Sequence, residues 1–400
     1  MPWNLETMSK LYDVVIIWWG AAGLFAGICL DKKLSKIVLE KNAKPGIKIL
    51  LSGGERANVS NMDIEPERDY FTQNKKFLLS VFAKYNNWDI MSFFAEAGIN
   101  IVEEDRSRLI LESWDSKELL ACLLKKLKEN NCDLKNNHDI VDITPDGENF
   151  IVSCIEWRKY KAKKVILSSG GKSFGQVGTT GEWYTMSEKL WLSLVVPYRT
   201  LCGMAMKRDL SEISWVSSVV DMKLIDKTQN PDSPNPFDKG EQDQRKKIIY
   251  QEKGPILFTH FGVSGPIIHN CSNAVGEYLN KIWLEEEEFE KYMIENLSMD
   301  IRFDLDNSAK RLIKFFELSE ENLDVNLGLQ NWRSWKEAKA TGGWVDTDEL
   351  DNNMQTKKHP WLYIIGEVVD VTGKTWWFNL QWAWSSWFVA AEWINKKLSR

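Results

Sequence analysis

Along the chain the apolar positions change period several times, and each change predicts an element. Residues 12–17 (YDVVII) form a short unbroken apolar run rich in Val and Ile, the pattern of a strand buried on both faces of a parallel sheet. A turn of small residues follows, then a helical stretch from Gly20 to Leu30 (GAAGLFAGICL), then Lys36–Glu40 (KIVLE), a second short strand ending on an acid. Together they predict a β-α-β unit. Apolar residues at spacings of three and four predict helices over 74–85 and 88–97, and an amphipathic helix over 115–130 with Ser113 or Asp115 as its N-cap. Short strands then lead to 164–169 (KVILSS), and this doubly wound α/β domain is expected to run to about residue 195.

From Pro197 to about Gly343 the texture changes to short β-like pieces, helical pieces near 264–278 and 306–318, and a Pro/Asp/Lys-rich loop at 226–247, as expected of one or two inserted domains. The acidic run Glu285–Glu288 reads as a solvated face, since like charges repel and are cheap only in water. At the C-terminus Trp361–Gly366 (WLYIIG) is again a strand and Trp376–Leu398 a long, largely apolar helix, so the chain is expected to return to its first sheet.

Composition narrows the class. Lys plus Arg number 51 against 57 Asp plus Glu, a net charge of −6 with no basic surplus to follow a phosphate backbone, so no nucleic-acid partner is expected. No apolar run approaches the roughly 18 residues of a membrane span. The six cysteines are scattered without a C-x-x-C pair, and the N-terminus has no targeting pattern, which together suggest a reducing cytoplasm. The four histidines stand in no metal-ligand spacing, so no metal is expected, and no side chain is identified as catalytic acid, base or nucleophile.

The first β-α turn reads I-W-W-G-A-A-G. Positions 18, 20 and 23 align with G-x-G-x-x-G, but Trp18 stands where the first glycine belongs. Gly20, followed by Ala21 and Ala22, would let the backbone approach a diphosphate, and Gly23 would let helix pack on strand. Glu40, 20 residues after Gly20, is where an acid accepts hydrogen bonds from a ribose. An ordinary tight turn would explain two glycines; the strand before, the helix after and the acid downstream favour a nucleotide site. No second fingerprint occurs, so a nicotinamide donor, NAD(P)H, would visit only briefly. A Rossmann methyltransferase shares the first β-α-β unit but leaves the C-terminal return segment unexplained.

Several segments together resemble the HI0933-like flavoprotein family, also known as YhiN-like or aminoacetone-oxidase-like FAD-binding proteins. They are VVIIWWGAAGL (14–24), IKILLSGGERANVSN (47–61), NNWDIMSFFAEAGI (86–99), VILSSGGKSF (165–174), ILFTHFGVSGPII (256–268) and LYIIGEVVDVTGKTWWFNLQWAWSSWFVA (362–390). The resemblance implies a Rossmann-type FAD-binding domain built from both chain ends (1–195 and 344–400). It would be interrupted by a β-rich domain (196–262 and 325–343) and a small helical domain (263–324). It implies that Gly20 and Gly23 contact the diphosphate and that Glu40, with Lys41 beside it, meets the ribose. Lys48, Ser52, Gly53, Arg56, Asn58, Asn61 and Gly170 would lie along the cofactor and active-site side, Gly366, Glu367 and Asp370 at the ribityl and phosphate region, and Asn379 and Leu380 near the flavin ring. Lys48 and Arg56 can offset phosphate charge, or be surface charges. A helix starting near 376 could direct its N–H groups at a reduced flavin, while Trp382 and Trp384 read as core. The activity implied is FAD-dependent oxidoreduction of a small organic molecule, either amine oxidation or NAD(P)H-linked ketone or enone reduction. The alternative is a flavin-binding or degenerate protein without turnover. Where the family often has S-G-G-G-R-C-N this chain has S-G-G-E-R-A-N, so no thiol is available at Ala57.

Tryptophan is abnormal: 20 residues against 17 Phe and 10 Tyr. The family pattern has glycine at Trp18, Trp19, Trp183, Trp344, Trp361, Trp376, Trp377 and Trp387, and matches glycine at Trp114, Trp191 and Trp215; Trp88, Trp382 and Trp384 match family tryptophans. This selectivity leads to the expectation that the source reads UGA as glycine where translation has written tryptophan. A tryptophan forced to positive φ would cost about 1–2 kcal/mol at each such site.

Overall fold

The computed structural model describes residues 10–18, 20–52, 57–155, 157–179, 181–228 and 247–398; Trp19, Gly53, Arg56 and most of the 226–247 loop lie outside these. The chain forms two compact units, residues 1–195 with 340–400 and residues 196–339.

The first unit is built on a seven-stranded sheet. Its centre is β1 (Leu11–Ile17), whose Val14, Val15, Ile16 and Ile17 are fully buried. Helix α1 (Ala21–Cys29) follows, and β2 (Lys36–Leu39) pairs in parallel with β1 from Val14↔Lys36 to Ile17↔Leu39. Strand Cys132–Lys135 extends the sheet beyond β2, also in parallel. After the short helix α2 (Ile47–Leu50), strand β3 (Lys159–Leu167) runs parallel to β1 on its other side. The first half of β3 takes the antiparallel strand Asn149–Cys154, and its end takes Leu362–Ile364 in parallel, so the chain does return to its first sheet. Two polar groups finish α1, whose last carbonyls have no partner within the helix. The buried Lys36 ammonium donates to Leu30 O and Asp31 O, and the Asn130 amide to the carbonyls of Gly27, Ile28 and Leu30.

The helices expected between these strands are present with side-chain caps. Asn74 opens Lys75–Phe82, an Asn86/Asp89 capping box opens Asn87–Glu96, and Asp115, rather than Ser113, caps Ser116–Glu129. The C-terminal helix Trp376–Leu398 packs against α1, with Phe25 between Trp384 and Trp387 at ring distances of 5.1 and 4.5 Å.

The second unit holds a closed barrel of strands Met204–Met206, Gly262–Ser264, Lys247–Thr259, Ser217–Asp226, Leu297–Phe303 and Asp324–Trp332. Helices Pro266–Lys281 and Glu286–Asn296 put Ile267, Cys271, Val275, Phe289 and Met293 into the same core as the barrel's Met222, Phe258, Ile301 and Leu327. The acidic run is more than a solvated face: Glu285 and Glu288 form a capping box, and the remaining acids occupy the positive first turn of Glu286–Asn296.

Candidate functional site

At the end of β1 the backbone turns through Trp18, at φ 65°, and Gly20 opens α1. No side chain caps Gly20, no acid stands in the first turn, and no heavy atom would lie within 4 Å of a Cβ at this position. This positive helix end is shaped for an anion. Ala21 and Ala22 are buried in the first turn. A Cβ at Gly23 would sit 2.1 Å from Trp18 O and 2.7 Å from Ser168 Oγ, so only glycine lets α1 seat here. The Ser168 hydroxyl bridges the carbonyls of Ile17 and Trp18, tying β3 to the turn.

Beside this turn, where the Trp18 N–H bonds to Leu39 O at 2.8 Å, the end of β2 presents Glu40, only 5% exposed, with one carboxylate oxygen accepting the Asn42 N–H at 2.6 Å. Lys41 pairs with Asp139 at 3.5 Å, and its ammonium lies 5.5 Å from the centre of the Trp18 ring. The Trp18 indole therefore extends from the turn towards the end of β2, meeting Trp183 edge-on at 6.1 Å. Its N–H is buried without an acceptor.

A second cluster is organised by Glu367. One carboxylate oxygen pairs with Lys48, on α2, at 3.1 Å, and the other accepts the Thr341 N–H at 2.9 Å and the Ser173 hydroxyl at 3.1 Å. The Thr341 hydroxyl in turn accepts the N–H groups of Lys172 and Ser173, just beyond Gly170. Glu367 thus fixes four segments around one point. Beside it Gly366 adopts φ 73°, and a Cβ there would come 3.1 Å from the Ala22 Cβ on α1. Its N–H donates to the Ser386 hydroxyl and its carbonyl accepts the Trp382 indole N–H, both partners lying on the C-terminal helix. Asp370 is buried and accepts the Gly343 N–H at 3.1 Å.

Some residues assigned to the cofactor side are otherwise engaged. The Asn61 amide donates to Arg106 O and accepts the Asp63 N–H. Asn379 exchanges hydrogen bonds with the Gly373 backbone and donates to Thr375 O, stapling the loop before the C-terminal helix, while Leu380 is buried. Asn58 is buried in strand Asn58–Asn61, whose Val59 carbonyl receives the Trp384 indole N–H. Sequence reading missed a fully buried polar chain beside it: Ser60 donates to Gln381 at 2.6 Å, and Gln381 to Ser385 at 3.0 Å. Only the N-L-Q-W-A-W-S-S context marked it. It also missed Tyr70, whose phenol donates to Phe378 O; burial, with a smaller contribution from Asp69, raises its pKa well above the ordinary value and keeps it a neutral donor.

The residues other than tryptophan suit FAD. The α1 terminus is uncapped, and the hydroxyls of Ser52, Ser169 and Thr375, on three segments of this unit, are buried without a partner. The tryptophans do not. Trp18 buries an indole, against Lys41 and Trp183, at the turn position where the dinucleotide motif has glycine, and Trp376 and Trp377 occupy the first turn of the C-terminal helix with both indole N–H groups buried and unpartnered. Among the described residues, no group of three or more His, Cys, Asp or Glu is placed to hold a metal, and no helix is long and apolar enough to cross a membrane.

Comparison with known proteins agrees with this architecture. The chain is 27% identical to a ribosomal RNA dihydrouridine synthase of Escherichia coli over 97% of its own length and 99% of the relative's. It is 22% identical to a 3-dehydro-bile acid delta(4,6)-reductase of Clostridium scindens over 94% and 97%. A 3-ketosteroid-delta4-(5alpha)-dehydrogenase from Rhodococcus jostii shares the fold, with a TM-score of 0.50 at 10% identity over 98% and 99% of the two chains. The HI0933-like protein Rossmann domain matches residues 12–393, and the chain belongs to that family of FAD-binding oxidoreductases.

Proposed function

We propose that this chain is an FAD-dependent reductase of carbon–carbon double bonds conjugated to a carbonyl, and that its substrate is a uracil base of ribosomal RNA. The observation that carries the reading is the uncapped α1 terminus, which follows the turn beside the end of β2 and meets Gly366 beside the Glu367 cluster. The two relatives supply the reaction class. Making dihydrouridine saturates a double bond conjugated to a ring carbonyl, and a delta(4,6)-reductase acts on an unsaturated steroid ketone. The higher identity, 27% against 22%, favours the RNA base.

Bound FAD supplies two-electron chemistry at the flavin, and the protein supplies binding, orientation and electrostatics. In this reading the first N–H groups of α1, with Gly20, Ala21, Ala22 and Gly23, hold the diphosphate. Glu40 accepts the ribose hydroxyls, with Lys41 alongside. Lys48, Ser52, Asn58, Gly170, Gly366, Glu367 and Asp370 line the ribityl and phosphate side; Gly53 and Arg56, which the resemblance assigns there, lie outside the described residues. Asn61, Asn379 and Leu380 shape the flavin end through backbone and packing, since both amides are spent internally. NAD(P)H is the transient electron donor.

A net charge of −6 argues against binding along an RNA backbone, but taking one base needs only a local complement. The second unit offers one in a cleft of about 520 Å³ lined by Lys207, Arg208, His260, Phe261 and Arg333, together with Asp209 and Glu290. Arg333 lies 4.0 Å from the Phe261 ring centre while its guanidinium donates to both Glu337 carboxylate oxygens at 2.9 and 2.8 Å, so phosphate contact falls to the charges of Lys207 and Arg208.

The test is incubation of the protein with FAD, NADPH and ribosomal RNA lacking the modification, followed by digestion and mass spectrometry for a nucleoside heavier than uridine by two hydrogens. It is run on the chain as written and with glycine at 18, 19, 376 and 377. Reduction of a steroid enone with RNA untouched would move the substrate to small ketones. Bound flavin without turnover on either would support the flavin-binding reading, which the indoles at 18, 376 and 377 favour for the chain as written.

A further inference from the structure

Among the described residues, seven tryptophans have positive φ: Trp18 (65°), Trp114 (55°), Trp157 (64°), Trp191 (55°), Trp215 (66°), Trp283 (60°) and Trp344 (103°). Bulk or aromaticity is not the reason, because among the described residues Phe174 is the only Phe found there, and no Tyr is. This region disfavours every residue with a Cβ and is the ordinary province of glycine.

Two of the seven close helices in a specific way. Beyond helix Glu182–Lys189, the Trp191 N–H bonds to Glu188 O at 2.8 Å and the Leu192 N–H to Ser187 O at 3.1 Å. Beyond helix Pro266–Lys281, the Trp283 N–H bonds to Asn280 O at 3.0 Å and the Leu284 N–H to Leu279 O at 3.3 Å. These paired bonds define the Schellman ending, whose left-handed residue is usually glycine. Here it is an indole exposed to 82% at 191 and 91% at 283, burying almost nothing in return. Trp157, 84% exposed in the hairpin turn before β3, and Trp215, 78% exposed, repeat the pattern.

The buried tryptophans divide as well. Trp382 and Trp384 donate their indole N–H groups to Gly366 O at 3.0 Å and Val59 O at 2.8 Å. Trp18, Trp183, Trp332, Trp344, Trp376, Trp377 and Trp387 leave theirs buried and unbonded, whereas a buried indole N–H ordinarily finds an acceptor.

We infer that the polypeptide made by the source organism carries glycine at 18, 114, 157, 191, 215, 283 and 344, and with them at 376 and 377. One codon, UGA, is decoded there as glycine, while UGG encodes the tryptophans at 382 and 384. Backbone conformation outside the first β-α turn carries the inference at six of the seven sites, so it stands or falls separately from the proposed activity. At 18, 376 and 377 it also removes the conflict with FAD, by taking the indole from the turn before Gly20 and freeing the first turn of the C-terminal helix.

The test reads the codons of the gene and the peptide masses of the protein isolated from its source. The expected result is UGA at the nine sites, UGG at 382 and 384, and glycine masses at the nine sites with tryptophan masses at the two. Tryptophan masses at the positive-φ sites, or UGG throughout, would overturn the inference. A third readout uses the recombinant chain with glycine at all nine positions. It should retain visible flavin absorption through purification and unfold at a higher temperature than the chain as written, and an equal or lower unfolding temperature would overturn the conformational argument.

Discussion

Trp283→Gly isolates backbone strain from everything else tryptophan does. The residue follows helix Pro266–Lys281 at φ 60°, and its side chain is 91% exposed, so removing the indole forfeits almost no buried area. Left-handed backbone at a residue with a Cβ costs about 1–2 kcal/mol. Glycine returns about 0.4–1 kcal/mol of that through its greater freedom in the unfolded chain. The net expectation is stabilisation of about 0.5–1 kcal/mol, or about 1–2 kcal/mol with Trp215→Gly, which lies in the same unit at φ 66° and 78% exposure. Urea unfolding of the full chain followed by circular dichroism measures it as a rise in midpoint at unchanged slope. Trp283→Ala is the control: it removes the same indole but keeps the Cβ, and should gain little. If alanine stabilises as much as glycine, or glycine does not stabilise at all, the gain does not come from the backbone and the reasoning fails.

Glu367→Gln keeps the size but loses the ionic partner of Lys48 and weakens the acceptor for Thr341 and Ser173, so stability should fall by about 1–3 kcal/mol, with weaker FAD retention in the glycine-restored chain; unchanged unfolding would show that the cluster is ornamental. Gln381→Leu strands the buried Ser60 and Ser385 hydroxyls and should cost about 1–3 kcal/mol, read by the same unfolding curve. Burial, with the charge of Lys339 adding to it, holds His269 neutral in the fold with a pKa of about 3 against an ordinary 6.5. The unfolded chain therefore binds the extra proton, and stability should decline as pH falls from 6.5 towards 3, by about 2 kcal/mol at pH 5. His269→Gln should flatten that part of the pH profile, and an identical slope would remove His269 as its source. Reversing charge with Lys207→Glu and Arg208→Glu should depress reduction of RNA severalfold while sparing a small enone substrate; equal loss on both would take the cleft out of RNA recognition.

By itself the sequence determined the first β-α-β unit, the capped helices and the C-terminal strand, because each rests on local chemistry. Four consecutive buried β-formers make Val14–Ile17 a central strand in any compact context, and Asn86 with Asp89 or Asp115 closes a helix end within three residues. The glycine deficit was also legible, as indole where the turn motif asks for Gly. Tertiary structure alone decided which polar groups meet. Lys48 reaches Glu367 across 319 positions and Ser60 reaches Gln381 across 321, separations over which no pattern in the chain carries information. It also decided that the amides of Asn61 and Asn379 staple their own loops, since an amide takes whichever backbone partner the fold brings within reach. The sign of φ at Trp157 and Trp283 belongs to this second class: the conformation is imposed by a hairpin turn and a helix ending, and only there does the want of glycine become visible.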